Sequence, residues 1–239
     1  CTVMRTDIMS TAVMDIPTIT DSQLVRLMVW LSPSFPTGAF AYSHGLEWAV
    51  AQRLVHDRDS LIGWVKDVIT TGSGWTDSVL LRLAWRCDDD ASLQEVADLA
   101  AALAPSRERH EEMTAQGNAF ARAIGTWAVV PEIFMSDDRA LWPLPVVMGA
   151  TFRIAGIDEH HATLLALQGF VANLISAAVR LVPLGQTDGL RALAALEEQV
   201  ISTSAESACT GAEDLGGFSL NADLASLHQE TQQTRLFRT

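Results

Sequence analysis

The sequence is poor in the features that would mark most enzymes, secreted proteins and nucleic-acid binders. It has only three cysteines, Cys1, Cys87 and Cys209, an odd number with no close spacing. That excludes a disulfide framework and a cysteine-rich zinc site, and it points to a reducing, cytoplasmic setting. Basic residues are scarce: 16 Lys and Arg stand against 29 Asp and Glu, for a formal net charge of −13. A nucleic-acid binder needs a basic face to displace counterions, so nucleic acid is not an expected partner. Alternating strand patterns are few, and no β-hairpin dipeptide separates two apolar runs. A phosphate-cradling glycine loop with its lysine is missing as well, so the chain is not expected to hydrolyse nucleotides itself. Residues 1–20 carry Arg5, Asp7 and Asp15 and lack a sustained apolar core, which does not read as a signal peptide.

What is present is helical periodicity. With 49% hydrophobic residues in 239, the chain can bury a sizeable core. Leu24, Leu27, Met28 and Leu31 fall at i, i+3, i+4 and i+7 after a cap at Asp21 or Ser22. Leu61, Trp64, Val65 and Val68 repeat the pattern behind Ser60. Leu93, Val96, Ala97 and Ala100 do so again, with Ser92 and Glu95 as a capping box. Met113, Gly117, Phe120 and Ile124 share one helix face. Further helices are expected near 144–155, 158–182, 188–204 and 221–234, two of them stopped by Gly156 and Pro183. The longest uncharged run, Ala162–Val179, is eighteen residues, the lower edge of membrane-span length. Gln168, Asn173 and Ser176 interrupt it, so it reads as a central helix among helices, with no membrane role. The expectation is an all-α protein: a single helical-bundle-like domain of roughly eight to ten helices. Residues 1–20 would be a flexible N-terminal segment, 21–220 the all-helical domain and 221–239 a C-terminal partner-docking segment, with loops at 86–91 and 208–219.

Candidate chemistry thins out on inspection. Asp88, Asp89 and Asp90 suggest a magnesium site of an all-α metal-dependent enzyme, but three consecutive helical aspartates diverge. The other compact acidic pair is Asp137–Asp138, beside turns. His160 and His161 are adjacent, cannot converge on one ion, and suit the start of a helix with Asp158 and Glu159. They are weak nickel or zinc candidates. Ser43 beside His44 lacks the strand–elbow–helix context of a hydrolase nucleophile. Ser43 reads better as an N-cap, with Glu47 in the first turn.

Two stretches remain. In "SPSFPTGAFAYSHGLEWAV", residues 32–50, Pro33 and Pro36 fix their own φ and push Ser32 and Phe35 toward extended backbone. Gly38 can then turn the chain. Gly45, read as lying early in the next helix, costs roughly 1 kcal/mol relative to alanine, which implies a close backbone approach. Phe35 and Phe40 read as roofing the core; Tyr42, the only tyrosine, is a candidate anchor. The tail "TRLFRT" sets Leu236 and Phe237 between Arg235 and Arg238 on an acidic protein, a segment suited to ordering against a partner or against its own domain.

These motifs carry a resemblance. Residues 32–50, "RERHEEMTAQGNAF" (107–120), "PVVMGATFRIAGI" (145–157), "SAAVRLVPLGQTDGLRAL" (176–193) and the closing "ADLASLHQETQQTRLFRT" (222–239) are similar, in that order, to the urease accessory protein UreF family. The chain differs from the family pattern at Leu190, Gln229 and Gln233. The resemblance implies a non-catalytic, all-helical chaperone that dimerises. It implies binding to a UreD/UreH-type accessory protein and the GTPase UreG, and docking on apo-urease for nickel insertion. Nickel and GTP would be handled by the complex, with no cofactor held tightly by this chain. By motif, Tyr42, Ser43, Gly45, Glu47 and Arg235 are implied partner-binding residues, joined by Leu236, Phe237 and Arg238 of the tail.

Overall fold

A computed structural model describes residues 19–136 and 140–238; the expectations for residues 1–18, Asp137 and Asp138 lie outside the described residues. The described residues form ten α-helices with short 3-10 turns between them and no strand. They are α1 (Asp21–Trp30), α2 (Leu46–Ala51), α3 (Arg58–Thr70), α4 (Ser73–Arg86), α5 (Asp90–Ala102), α6 (Arg107–Ile124), α7 (Leu144–Ile154), α8 (Glu159–Leu181), α9 (Gln186–Glu206) and α10 (Leu220–Gln229).

Local chemistry explains the starts and stops. Thr20, rather than Asp21 or Ser22, caps α1, in a reciprocal box with Gln23. Asp57 caps α3, with Ser60 at the third helical position returning the bond. The expected Ser92–Glu95 box is displaced one turn: Asp89 caps α5 by accepting from Ser92 N at 2.8 Å. A carboxylate placed there meets both the free N–H groups and the positive end of the helix dipole. The loop expected at 86–91 is therefore shorter, since Arg86 still belongs to α4 and Asp90 to α5. Gly156, at φ +73°, ends α7 with Ile157 N donating to Phe152 O at 2.9 Å.

Two apolar clusters form the interior. One joins α1, α4, α5, α6 and α7 around Trp30, Leu80, Phe120, Val146 and Phe152. The other joins α2, α3, α8, α9 and α10 around Leu46, Val65, Leu174, Leu196 and Ala225. Helix α8 gives Ala162 to the first and Leu167, Val171, Leu174 and Ile175 to the second, which ties the two together. Among the described residues it is the one helix long and apolar enough, by length and composition, to cross a membrane, and it packs on α2, α3, α4, α7 and α9.

Helices α4 and α7 cross closely at Gly149, where an added Cβ would stand 2.2 Å from Leu81 O. Backbone on both sides cannot give way. Gly149→Val is expected to cost at least about 3 kcal/mol in urea denaturation. A loss below about 1 kcal/mol would show that the two helices can slide apart freely.

Candidate partner-docking site

The site is built where the 32–45 bend, α10 and the tail meet. Phe35 N returns to Ser32 O at 2.9 Å, and Gly38, at φ +78°, opens one 3-10 turn over Ala39–Ala41. The chain then passes through two left-handed residues in a row, His44 at φ +53° and Gly45 at φ +76°. Gly45 is the N-cap of α2 and lies outside the helix, which corrects its expected position. Ser43 supplies the capping oxygen one turn ahead, accepting from Glu47 N at 3.4 Å. The close approach that Gly45 implied is to α10: a Cβ there would stand 2.8 Å from Ser226 N.

Past α10 the chain folds back instead of continuing as helix to 234. Arg235 makes that turn by donating to Gln232 O at 2.8 Å, Glu230 O at 2.7 Å and Glu108 Oε1 at 2.8 Å. Glu47 then takes the next two backbone N–H groups, Leu236 N on Oε1 at 2.6 Å and Phe237 N on Oε2 at 2.9 Å. Arg238 N donates to Ala41 O at 2.7 Å. One buried carboxylate thus pairs with two amides and leaves neither unsatisfied. Phe237 is 5% exposed and joins the second apolar cluster. The Arg180 guanidinium lies 4.4 Å from its ring centre and 3.6 Å from that of Phe40, and donates to Phe40 O at 3.1 Å.

Tyr42 and Ser43 are buried, and Gly45 faces α10, so these three shape the seat from beneath. Phe35 is buried as expected. Phe40 is not: at 64% exposure it stands outside, a correction to its reading as core. Its ring is held from below by Arg180, 140 residues away, which no local pattern could reveal. Leu236 is 79% exposed at the seat's rim. Glu108 and Arg180 lie within quoted motifs, 107–120 and 176–193, but were not singled out as site residues.

Helix α10 is inside out. Its buried face carries Asp223, Ser226 and Gln229, with Ala225, while Leu220, Leu224 and Leu227 form an outward stripe at i, i+4 and i+7, extended by the exposed Phe218. Ser226 Oγ meets Ser106 Oγ at 2.6 Å, which fixes the polar side inward, while Trp48 stacks on the exposed His228 at 4.7 Å.

Beneath the bend lies an ionic cluster, buried at His44, Arg109 and Glu112 and partly open at Asp77, whose side chain is 28% exposed. His44 Nε2 is 2.9 Å from Glu112 Oε1, and Arg109 reaches Glu112 Oε2 at 2.7 Å and Asp77 Oδ2 at 3.6 Å. Burial, then the Arg109 charge, holds the His44 ring below its ordinary range, while burial pushes the Asp77 carboxyl up to about 6. The cluster borders a cavity of about 200 Å³ walled by the 31–44 bend, α4, α6, α7 and α8.

The metal candidates are placed elsewhere. Asp158 caps α8 and binds His161 Nδ1 at 2.6 Å, with the His160 ring 5.3 Å from that of His161. Asp88 pairs with Arg153, Asp89 caps α5 and Asp90 sits in its first turn, so the three carboxylates have three separate jobs. Among the described residues no group of three or more His, Cys, Asp or Glu is arranged to hold a metal ion.

A seat for the chain's own tail lies beside an outward apolar stripe on an all-helical protein, and its similarities to known proteins give the class: accessory proteins of an enzyme. A family model described as UreF matches residues 55–197. A urease accessory protein UreF of Rhodopseudomonas palustris (strain BisA53) is 48% identical over 224 residues, 90% of this chain and 93% of the relative. One of Cereibacter sphaeroides (strain KD131) is 46% identical over 216 residues, covering 90% and 98%. One of Bradyrhizobium sp. (strain BTAi1) is 47% identical over 223 residues, covering 90% and 92%. The chain belongs to the UreF family of urease accessory proteins.

Proposed function

We propose that this protein acts in urease maturation as a non-catalytic scaffold that holds two partners at once. The observation that carries the reading is the reversed amphipathicity of α10. A helix that buries Asp223, Ser226 and Gln229 and exposes three leucines has its apolar face toward something other than its own domain. That stripe, with Leu236 at the rim, is the surface for a UreD/UreH-type accessory protein. The neighbouring platform of Phe40 stacked on Arg180 is the surface for the GTPase UreG, since an aromatic and an arginine together form a strong interface anchor. A second copy docks through the outward face of α1, where Val25, Met28 and Val29 are exposed. In this reading the complex works on apo-urease in the cytoplasm, and nickel and GTP are handled by the complex.

Co-purification with candidate partners tests it. Deleting Arg235–Thr239 removes a buried Phe237, and is expected to lower stability by about 1.5–3 kcal/mol while helix content holds and the UreD-type partner is no longer captured. Phe40→Ala, which leaves Arg180 on the tail's Phe237, should spare that partner and lose the GTPase. Full-strength capture of both partners by both variants would end the proposal.

A further inference from the structure

We propose that the cavity beneath the bend is a binding site for a small uncharged molecule with an apolar body and a head group, a primary alcohol or a primary amide, that both accepts and donates a hydrogen bond. The cavity holds about 200 Å³, and its side wall is apolar, with Leu81 of α4, Met113 of α6, Met148 of α7 and Leu167 and Phe170 of α8. Apolar cavities of about 150 Å³ already admit benzene, so a single ring with a short polar head is the right size. Pro33 and Phe40 of the bend and Ser176 of α8 also line the cavity, and their exposure marks its mouth.

The floor specifies the head group. His44 and Arg109 both line the cavity, and each is 7% exposed. His44 Nε2 faces Glu112 Oε1 at 2.9 Å, and Arg109 Nη1 faces Glu112 Oε2 at 2.7 Å. One further nitrogen of each residue, His44 Nδ1 and Arg109 Nε, is buried with no hydrogen-bond partner. The proton of the neutral His44 ring sits on Nε2, where a carboxylate accepts it, so Nδ1 is left as a bare acceptor. Arg109 Nε–H donates only. An unmet acceptor and an unmet donor therefore stand on two residues held by one carboxylate, and leaving both dry is costly. Polar neighbours in the wall are spent elsewhere. Ser78 Oγ donates to Gly74 O at 2.7 Å, Thr163 Oγ1 to Glu159 O at 2.9 Å, and Gln116 Nε2 to Glu112 Oε1 at 3.0 Å.

The same floor turns charged molecules away. A carboxylate would meet Glu112 and Asp77. An ammonium would meet Arg109 and find the Glu112 oxygens already taken by His44, Arg109 and Gln116. A buried charge without a partner of its own is strongly unfavourable. An alcohol or amide instead accepts from Arg109 Nε and donates to His44 Nδ1.

Titration of the full chain, isotope-labelled at its methionine methyl groups, tests the site by NMR. Met113 and Met148 line the cavity, while Met28, 70% exposed on α1, serves as the reference. Met113→Leu and Met148→Leu assign the signals. Benzyl alcohol and benzamide are expected to shift the Met113 and Met148 methyls saturably, with dissociation constants of about 1 mM or tighter, and to leave Met28 unmoved. Toluene, benzoate and benzylamine should bind at least about tenfold more weakly. Ala166→Leu, which fills the cavity from α8, should abolish the shifts. No shift with either probe would mean that the floor takes water only and would overturn the site. Toluene or either charged probe binding as tightly as benzyl alcohol would refute recognition by the floor, and this comparison in the wild type stands even if Ala166→Leu does not fold. Undiminished binding to a folded Ala166→Leu would place the molecule elsewhere and end the proposal. No partner protein is present in these titrations, so their outcome is independent of the scaffold reading above.

Discussion

Replacing Leu224 and Leu227 together by aspartate is expected to abolish capture of a UreD-type partner while helix content and melting temperature hold. Both side chains point outward from α10, so two carboxylates there meet water in the free protein and cost little. In a complex the same positions lie under the partner, where an unpaired charge is strongly unfavourable. At least a hundredfold loss of affinity is expected, about 2.7 kcal/mol. Titration of the purified partner against the double variant reads the affinity, and circular dichroism reads the fold. Undiminished binding would remove α10 from the interface. A collapsed melting temperature would instead show that the stripe packs against the chain's own domain.

Glu112→Ala should be among the most destabilising single substitutions in the chain, at about 3–5 kcal/mol. Glu112 is fully buried between Arg109, His44 and Gln116, with Gln116 Nε2 donating to Oε1 at 3.0 Å. Removing its carboxylate leaves a buried guanidinium whose remaining ion pair is Asp77 at 3.6 Å, and strands the Nε2 of His44. His44 already sits in a left-handed conformation at φ +53°, so the bend loses the contact that holds its strained residue. Urea denaturation of the alanine and glutamine variants separates charge from shape. Glu112→Gln keeps a hydrogen-bonding group and is expected to lose less. A loss below about 1 kcal/mol for alanine would mean that water enters and satisfies Arg109.

The helices themselves were legible because their causes are local. Helix α8 runs from Glu159 to Leu181, bounded by the Asp158 cap and by Pro183, within a residue or so of its expected span. The cap of α5 was misplaced by one turn because Asp89 and Ser92 both suit the role, and the one that also meets the helix dipole took it. The departures at the site are of another kind. Gly45 was readable as a costly residue with something pressed against it, but that something is Ser226, distant in the chain. The expected helix over 221–234 ends at Gln229 because Arg235 finds Glu108 and the tail amides find Glu47.

Periodicity, caps and breakers alone thus determined an all-helical protein with a shaped bend and an unusual end, since each depends on residues within a turn or two. Which side of α10 faces out, why Phe40 stands in solvent, and how one carboxylate gathers the tail were decided only by tertiary structure. The reason is physical: those outcomes turn on pairing buried charges and amides brought together from opposite ends of the chain, and no local pattern records which partner a buried group will meet.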